Sequence, residues 1–293
     1  MNPIGIISMQ HNRPFTAADF PQLDRWKAAG YDFVELLVPE PAELNLVATR
    51  RALNDAGLGV LLAARVNLER NLTSDDPARR QAGGDYLRYC AETAQALGAS
   101  IVGGPLYGNP LVFAGRAPHP VSEELRTARV EWCVEGLRKG GDAATASGIR
   151  FGVEPLNRFE TDILNSTRQG VELMKLVAHP AVGLVLDTFH MNMEDDDIPG
   201  ALHAAAAHTI HFQANENHRG YLGTGHLDWT AIVRALGEIG YRGTISLEPF
   251  RRRDERIGIP FAQWKPPAQD ETADFAAACA FIKSLLVLNG GRQ

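Results

Sequence analysis

The chain has 293 residues, 45% hydrophobic and 22% charged, with a formal net charge of −6. That length can bury a sizeable core in one large α/β domain or two small ones, and the composition is ordinary for a globular protein. The acidic balance speaks against a binder of phosphate backbones, and no apolar run reaches the ~18 residues of a membrane span. MNPIGIISMQ at the N-terminus has neither the basic region nor the long apolar stretch of a signal peptide.

Short apolar runs recur along the chain with helical patterns between them. The strand candidates are IGIIS (4–8), YDFVELLV (31–38), LGVLLAA (58–64), ASIVGG (99–104), IRFGVE (149–154), VGLVLD (182–187), HTIHFQ (208–213) and GTISLE (243–248). DFPQLDRWKAAG (19–30) and DYLRYCAETAQALG (85–98) each read as a helix closing on a glycine suited to a C-cap. The segment 121–148 opens on Ser122 and Glu123, as capping residues do, and 167–180 and 228–240 repeat the theme. Alternation of this kind predicts parallel strands joined by helical crossovers, and eight units in about 250 residues is what a closed (β/α)8 TIM barrel requires. An open doubly wound sheet is the competitor, but no GxGxxG follows the first strand. With no linker or low-complexity segment, 1–293 reads as a single barrel domain. The Pro- and Arg-rich stretch 250–268 reads as an extended loop before a last helix. Within it, RRRDER (251–256) suits a solvated or intersubunit loop, or an attractor for a phosphate or carboxylate on a substrate. Cys90, Cys133 and Cys279 are odd in number and widely spaced, which suits buried thiols in a reducing cytosol and a cytoplasmic protein.

In such a barrel the chemistry sits at the C-terminal strand ends. Strand five ends in Glu154, six in Asp187, seven in Gln213 and eight in Glu248. Side-chain alternation groups Thr244, Ser246 and Glu248 on one face of strand eight. In the same way Arg150 and Gly152 share a face with Glu154, Gly183 and Val185 with Asp187, and Thr209 and His211 with Gln213. Ile210 and Phe212 are then expected to point outward with the other large apolar residues, leaving the four terminal residues aimed at the axis. Any one strand-terminal acid is ordinarily a helix cap or a solvated loop residue. Three carboxylates converging on one volume need a cancelling charge, and an oxygen-rich set favours Mn²⁺, Mg²⁺ or Co²⁺ over structural zinc.

VEPLNRFETDILNS (153–166), LDTFHMNMED (186–195), ENHRGYLGTGHLDW (216–229) and GTISLEPF (243–250) together resemble the ketose 3-epimerase family of the xylose-isomerase-like barrel superfamily, known from D-tagatose and D-psicose 3-epimerases. Weaker likeness in LTSDDPARRQAG (72–83) and GGPLYG (103–108) extends it over most of the chain. The resemblance implies a divalent metal, Mn²⁺ foremost with Co²⁺ or Mg²⁺ as alternatives, held at the ends of strands five to eight. Glu154, Asp187 and Glu248 match the family's ligands directly. On strand seven the family reads His-x-His and coordinates through the second histidine, where this chain has Gln213 after His211. Some sugar and shikimate-type dehydratases of the superfamily use glutamine there, and an amide oxygen is a competent hard ligand. Gln213 is therefore expected to bind the metal and His211 to be a supporting or core histidine.

The implied reaction inverts C3 of a ketose through an enediolate, with Glu154 and Glu248 both binding metal and exchanging protons. Glu160, His190 and Arg219 are implied contacts to the reacting end of the substrate, and Tyr107 a wall of the distal pocket. The rival is a metal-dependent lyase or dehydratase acting on a sugar or 3-oxo-glycoside from the same proton abstraction. The expected partner is a small sugar, with no nucleic acid and no membrane, and the resemblance implies a homodimer or homotetramer.

Overall fold

The computed structural model describes residues 1–8, 14–108, 121–250, 264 and 270–290. RRRDER (251–256) and most of the 250–268 stretch lie outside them. Among the described residues eight parallel strands close into a barrel in chain order, as the alternation predicts. They are β1 (Ile4–Ile7), β2 (Phe33–Leu37), β3 (Gly59–Ala63), β4 (Ile101–Gly104), β5 (Arg150–Val153), β6 (Val182–Asp187), β7 (Thr209–Ala214) and β8 (Thr244–Leu247). The helices are α1 (Phe20–Ala28), α2 (Leu46–Asp55), α3 (Pro77–Leu97), α4 (Glu123–Ala146), α5 (Thr167–Val177), α6 (Thr188–Glu194), α7 (Ile198–Ala205), α8 (Trp229–Glu238) and α9 (Glu271–Gly290). Each expected strand is present to within two or three residues. No described helix is long and apolar enough to cross a membrane.

By contacts the chain falls into two compact units. One comprises Met1–Ala63, Ala96–Gly98 and Phe212–Gln293; the other comprises Ala64–Gln95 and Ala99–His211. In the first, β1 pairs with β2 through Gly5↔Phe33 and with β8 through Gly5↔Ser246, while Glu35 stands opposite Ile7 and Leu61. In the second, Gly103↔Gly152 and Gly152↔Gly183 align β4, β5 and β6. The apolar faces close over the core: Leu23 and Trp26 of α1 and Leu173 and Met174 of α5 are all buried.

Helix starts follow local chemistry. Ser122 accepts from the Leu125 N–H, and Ser166 with Gln169 forms a capping box on α5. Three helices that the sequence reading does not pick out are capped in the same way: α2 by Asn45, α6 by Asp187 and α7 by Asp197. The glycine stops hold as well, with Gly30 and Gly98 in the left-handed region (φ 97° and 83°). Cys90, Cys133 and Cys279 are free and buried in α3, α4 and α9. Burial pushes the Cys133 thiol up to about 12 and the Cys279 thiol up to about 11, as expected of inert packing thiols.

One expectation about side-chain facing is corrected. A Cβ on Gly183 would run into Ile210, while one on Gly152 would run into Val185 and touch Ile210 at ordinary contact distance. Ile210 therefore shares the face of Gly152, Gly183 and Val185 and does not turn outward. β5 and β7 are not neighbours in the barrel, so their side chains meet only on its concave side. Gln213 also reaches inward, because its amide contacts Glu35 of the non-adjacent β2. Two inward residues three apart break the period of two, an offset of the kind a β-bulge introduces.

Candidate metal centre and active site

The loop after β5 is folded by its own polar residues. Leu156 N–H donates to the Leu164 carbonyl at 3.0 Å, and Asn165 Nδ2 donates to the carbonyls of Leu156 and Thr161 at 2.9 and 3.0 Å. Phe159 N–H donates to Asn157 Oδ1 at 2.9 Å. This closed loop holds Glu154, Asn157 and Glu160 against α6. Glu154 and Asp187 are both buried, and His190 Nε2 lies 3.5 Å from Glu154 Oε1 and 3.7 Å from Asp187 Oδ2. One Asp187 oxygen accepts the Phe189 N–H at 2.7 Å, so the residue that starts α6 has its carboxylate oriented by the helix it caps.

Glu154, Asp187 and His190 each offer a donor atom, all within 4.8 Å of one another, in a cluster that could hold a divalent metal. The imidazole tautomer divides the work. His190 Nδ1 accepts the Asn157 N–H at 2.9 Å, so the ring proton of the neutral form is on Nε2, facing the two carboxylates. A protonated nitrogen donates hydrogen bonds and cannot ligate a cation. The chemistry of the donor set therefore fits a cation held by carboxylates, with His190 as a hydrogen-bond donor beside it.

Glu160 is half-exposed and fixed from both sides, by Asn157 Nδ2 at 3.0 Å and by Arg65 Nη2 at 3.3 Å. Tyr107 is fully buried, and its hydroxyl donates to the Leu164 carbonyl at 3.1 Å. Burial first, then the Glu154 carboxylate, raises that hydroxyl well above its usual value, so it stays protonated.

In the other compact unit, Glu248 is buried against Arg219, with Nη1 at 2.7 Å from Oε2. Asn215 is clamped to the same residue twice: its Nδ2 donates to Glu248 Oε2 at 3.3 Å and its Oδ1 accepts the Glu248 N–H at 2.9 Å. The Arg219 guanidinium lies 4.4 Å over the Phe250 ring. Gln213 Nε2 donates to Glu35 Oε1 at 3.4 Å, and Ser246 Oγ donates to Glu35 Oε2 at 2.8 Å. The 216–229 loop is built around buried Glu216, whose Oε1 accepts the Gly223 N–H and the Trp229 indole N–H, both at 2.8 Å. His211 is fully buried.

Sequence reasoning missed Glu35, Arg65, Asn157 and Asn215, and it placed Ser246 on the face of Glu248 without giving it a role. Glu35 had a signal: it is the lone acid inside the apolar run YDFVELLV. Asn157 lies inside a quoted motif and Asn215 just before another, but their role is to orient neighbours, which spacing alone does not reveal.

Residues 23–285 match the family described as xylose isomerase-like TIM barrel. An L-ribulose 3-epimerase of Methylomonas sp. (strain DH-1) is 31% identical over 257 residues, 87% of either chain. A D-psicose 3-epimerase of Ruminiclostridium cellulolyticum is 30% identical over 268 residues, 88% of each. The chain belongs to the ketose 3-epimerase family. Its members named here are isomerases, and so is this enzyme. A solved structure of an L-ribulose 3-epimerase superposes with a TM-score of 0.90 at 29% identity, covering 100% of this chain and 97% of that one. A D-psicose 3-epimerase structure with D-tagatose, from Clostridium cellulolyticum H10, gives 0.88 at 27% identity over 97% and 99%. These ketose 3-epimerase relatives do not favour the lyase reading.

Proposed function

We propose that this enzyme inverts C3 of a free ketose of the ribulose or psicose class, using Glu154 and Glu248 as the proton-transfer pair. The observation that carries the reading is the state of these two glutamates. Each is buried at the end of its strand beside oriented polar groups, His190 for Glu154 and both Arg219 and Asn215 for Glu248. Burial beside fixed partners keeps a carboxylate in place while sparing it from bulk water, which suits a group that must take up and return a proton.

The cation is assigned to Glu154, Asp187, Gln213 and Glu248. Support comes from the consecutive order of β5 to β8 in the closed barrel and from the oxygen donors at their ends. A bound divalent ion, Mn²⁺ by preference with Co²⁺ or Mg²⁺ as alternatives, supplies Lewis acidity to the substrate's carbonyl and neighbouring hydroxyl oxygens. One glutamate removes the C3 proton, the electrons pass into an enediolate, and the other glutamate delivers a proton to the opposite face. His190 Nε2–H and the Arg219 guanidinium donate to the oxygens that gain charge. Glu160, held by Arg65 and Asn157, accepts from a substrate hydroxyl, and the Tyr107 ring lines the far wall. The buried free thiols support a cytoplasmic setting, and the family likeness supports a homodimer or homotetramer.

Incubation with D-psicose, D-tagatose and L-ribulose in deuterated water, with Mn²⁺ present, tests the reaction. The expected product is the C3 epimer carrying one deuterium. Glu154→Gln and Glu248→Gln should each lower turnover and exchange by about 10²–10⁴-fold. An unsaturated or shortened product, or full exchange in both variants, would refute the assignment.

A further inference from the structure

We propose that Glu35 is a positioning residue that decides which end of the Gln213 amide faces the cation. The inference rests on the metal reading above.

An amide is an ambiguous ligand. Its oxygen binds a hard cation and its NH2 group cannot, yet the two ends are nearly the same size, so the neighbours must select one. Histidine escapes this problem, because either ring nitrogen can ligate once the other is engaged. A chain with glutamine on β7 needs a group that accepts hydrogen bonds and does not donate them. Glu35 is such a group. It is buried in β2, one of its oxygens takes Gln213 Nε2 at 3.4 Å, and the other takes the Ser246 hydroxyl at 2.8 Å. With both of its oxygens engaged as acceptors, Glu35 selects the NH2 end of Gln213 and turns Oε1 away from itself. Ser246, on the strand that also ends in Glu248, keeps the carboxylate from rotating. Carboxylates orient metal-binding imidazoles in the same way from the far ring nitrogen. The lone acid within an apolar strand thus acquires a use that neither ligation nor proton transfer gives it.

The isosteric variant E35Q is informative because of Ser246. The serine hydroxyl continues to donate to the oxygen of the introduced amide, which leaves that amide's NH2 facing Gln213. Gln213 then presents its oxygen to position 35 and its NH2 towards the cation. Mn²⁺ binding to the metal-free full-length enzyme is measured by the electron paramagnetic resonance of free Mn²⁺, with thermal melting of the metal-free protein alongside. The wild type should bind, and D187N, which keeps the helix cap but loses a charged ligand, should not. E35Q should raise the Mn²⁺ dissociation constant about 10–100-fold with the metal-free melting temperature unchanged. S246A should give a smaller loss in the same direction, and E35D should recover part of the affinity. If E35Q fails to fold, S246A and E35D decide the matter. Wild-type affinity in E35Q and S246A, with none in D187N, would overturn the role of Glu35 and leave the metal reading intact. Absence of Mn²⁺ binding by the wild type would remove both.

Discussion

Arg219 occupies the left-handed region at φ 56°, a conformation that costs a non-glycine residue about 1–3 kcal/mol. Its surroundings over-determine it. The Arg219 N–H donates to the Glu216 carbonyl at 3.0 Å, its own carbonyl accepts the Phe250 N–H at 2.6 Å, and its side chain is pinned between Glu248 and the Phe250 ring. Arg219→Met keeps much of the packing but leaves Glu248 buried without its cation, at a cost of about 3–5 kcal/mol. Chemical denaturation should show a loss of that order and turnover should fall with it; a loss under 1 kcal/mol would mean that the pair is solvated. At this scale the strand-terminal acids were readable, because the alternation of strands and helices says where strands end and ends are where barrels do chemistry. Glu35 showed only as a lone acid in an apolar run, and its role was hidden because it lies mid-strand and matters through the atoms it accepts from. Nor were Asn157 and Asn215, whose roles depend on carbonyl and N–H directions that residue type does not encode.

Gly152 and Gly183 show how adjacent strands tolerate branched neighbours, Gly183 making way for Ile210 and Gly152 for Val185. At Gly183 the missing side chain makes room for a branched residue that strict alternation would have sent outward. Gly183→Ala should therefore overpack this layer and cost about 1–3 kcal/mol. That corresponds to a fall in melting temperature of about 2–4 °C per kcal/mol, which calorimetry resolves; an unchanged or higher melting temperature would show that Ile210 moves freely. Strand positions were legible as short apolar runs bounded by polar residues. The phase of β7 was not, because a one-residue offset leaves composition and hydrophobicity unchanged while reversing every side chain beyond it. Helices α6 and α7 escaped notice because LDTFHMNMEDDDIPG reads as a polar tail to β6, and only the Asp187 and Asp197 caps betray two short helices there.

For the molecule as a whole, we propose that 1–293 unfolds as one domain; a single calorimetric transition on heating is expected, and two separate transitions would refute it. A ligand that binds only the folded chain raises stability by RT ln(1 + [L]/Kd), about 2.7 kcal/mol at a hundredfold excess over Kd. Added Mn²⁺ should shift the transition upward and a chelator should reverse it; no shift with saturating Mn²⁺, Co²⁺ or Mg²⁺ would contradict a resident cation. The barrel itself was legible because repetition is hard to mistake: eight runs at steady spacing admit few closed architectures. The Trp229 indole, hydrogen-bonded to Glu216 a few residues from Asn215 and Arg219, has an optical consequence. Its emission colour depends on how dry and how polar its pocket is, so in a variant whose other three tryptophans are replaced by phenylalanine, fluorescence from this one ring reports on the segment that steadies Glu248. Sugar binding could then be followed in real time without attaching a dye.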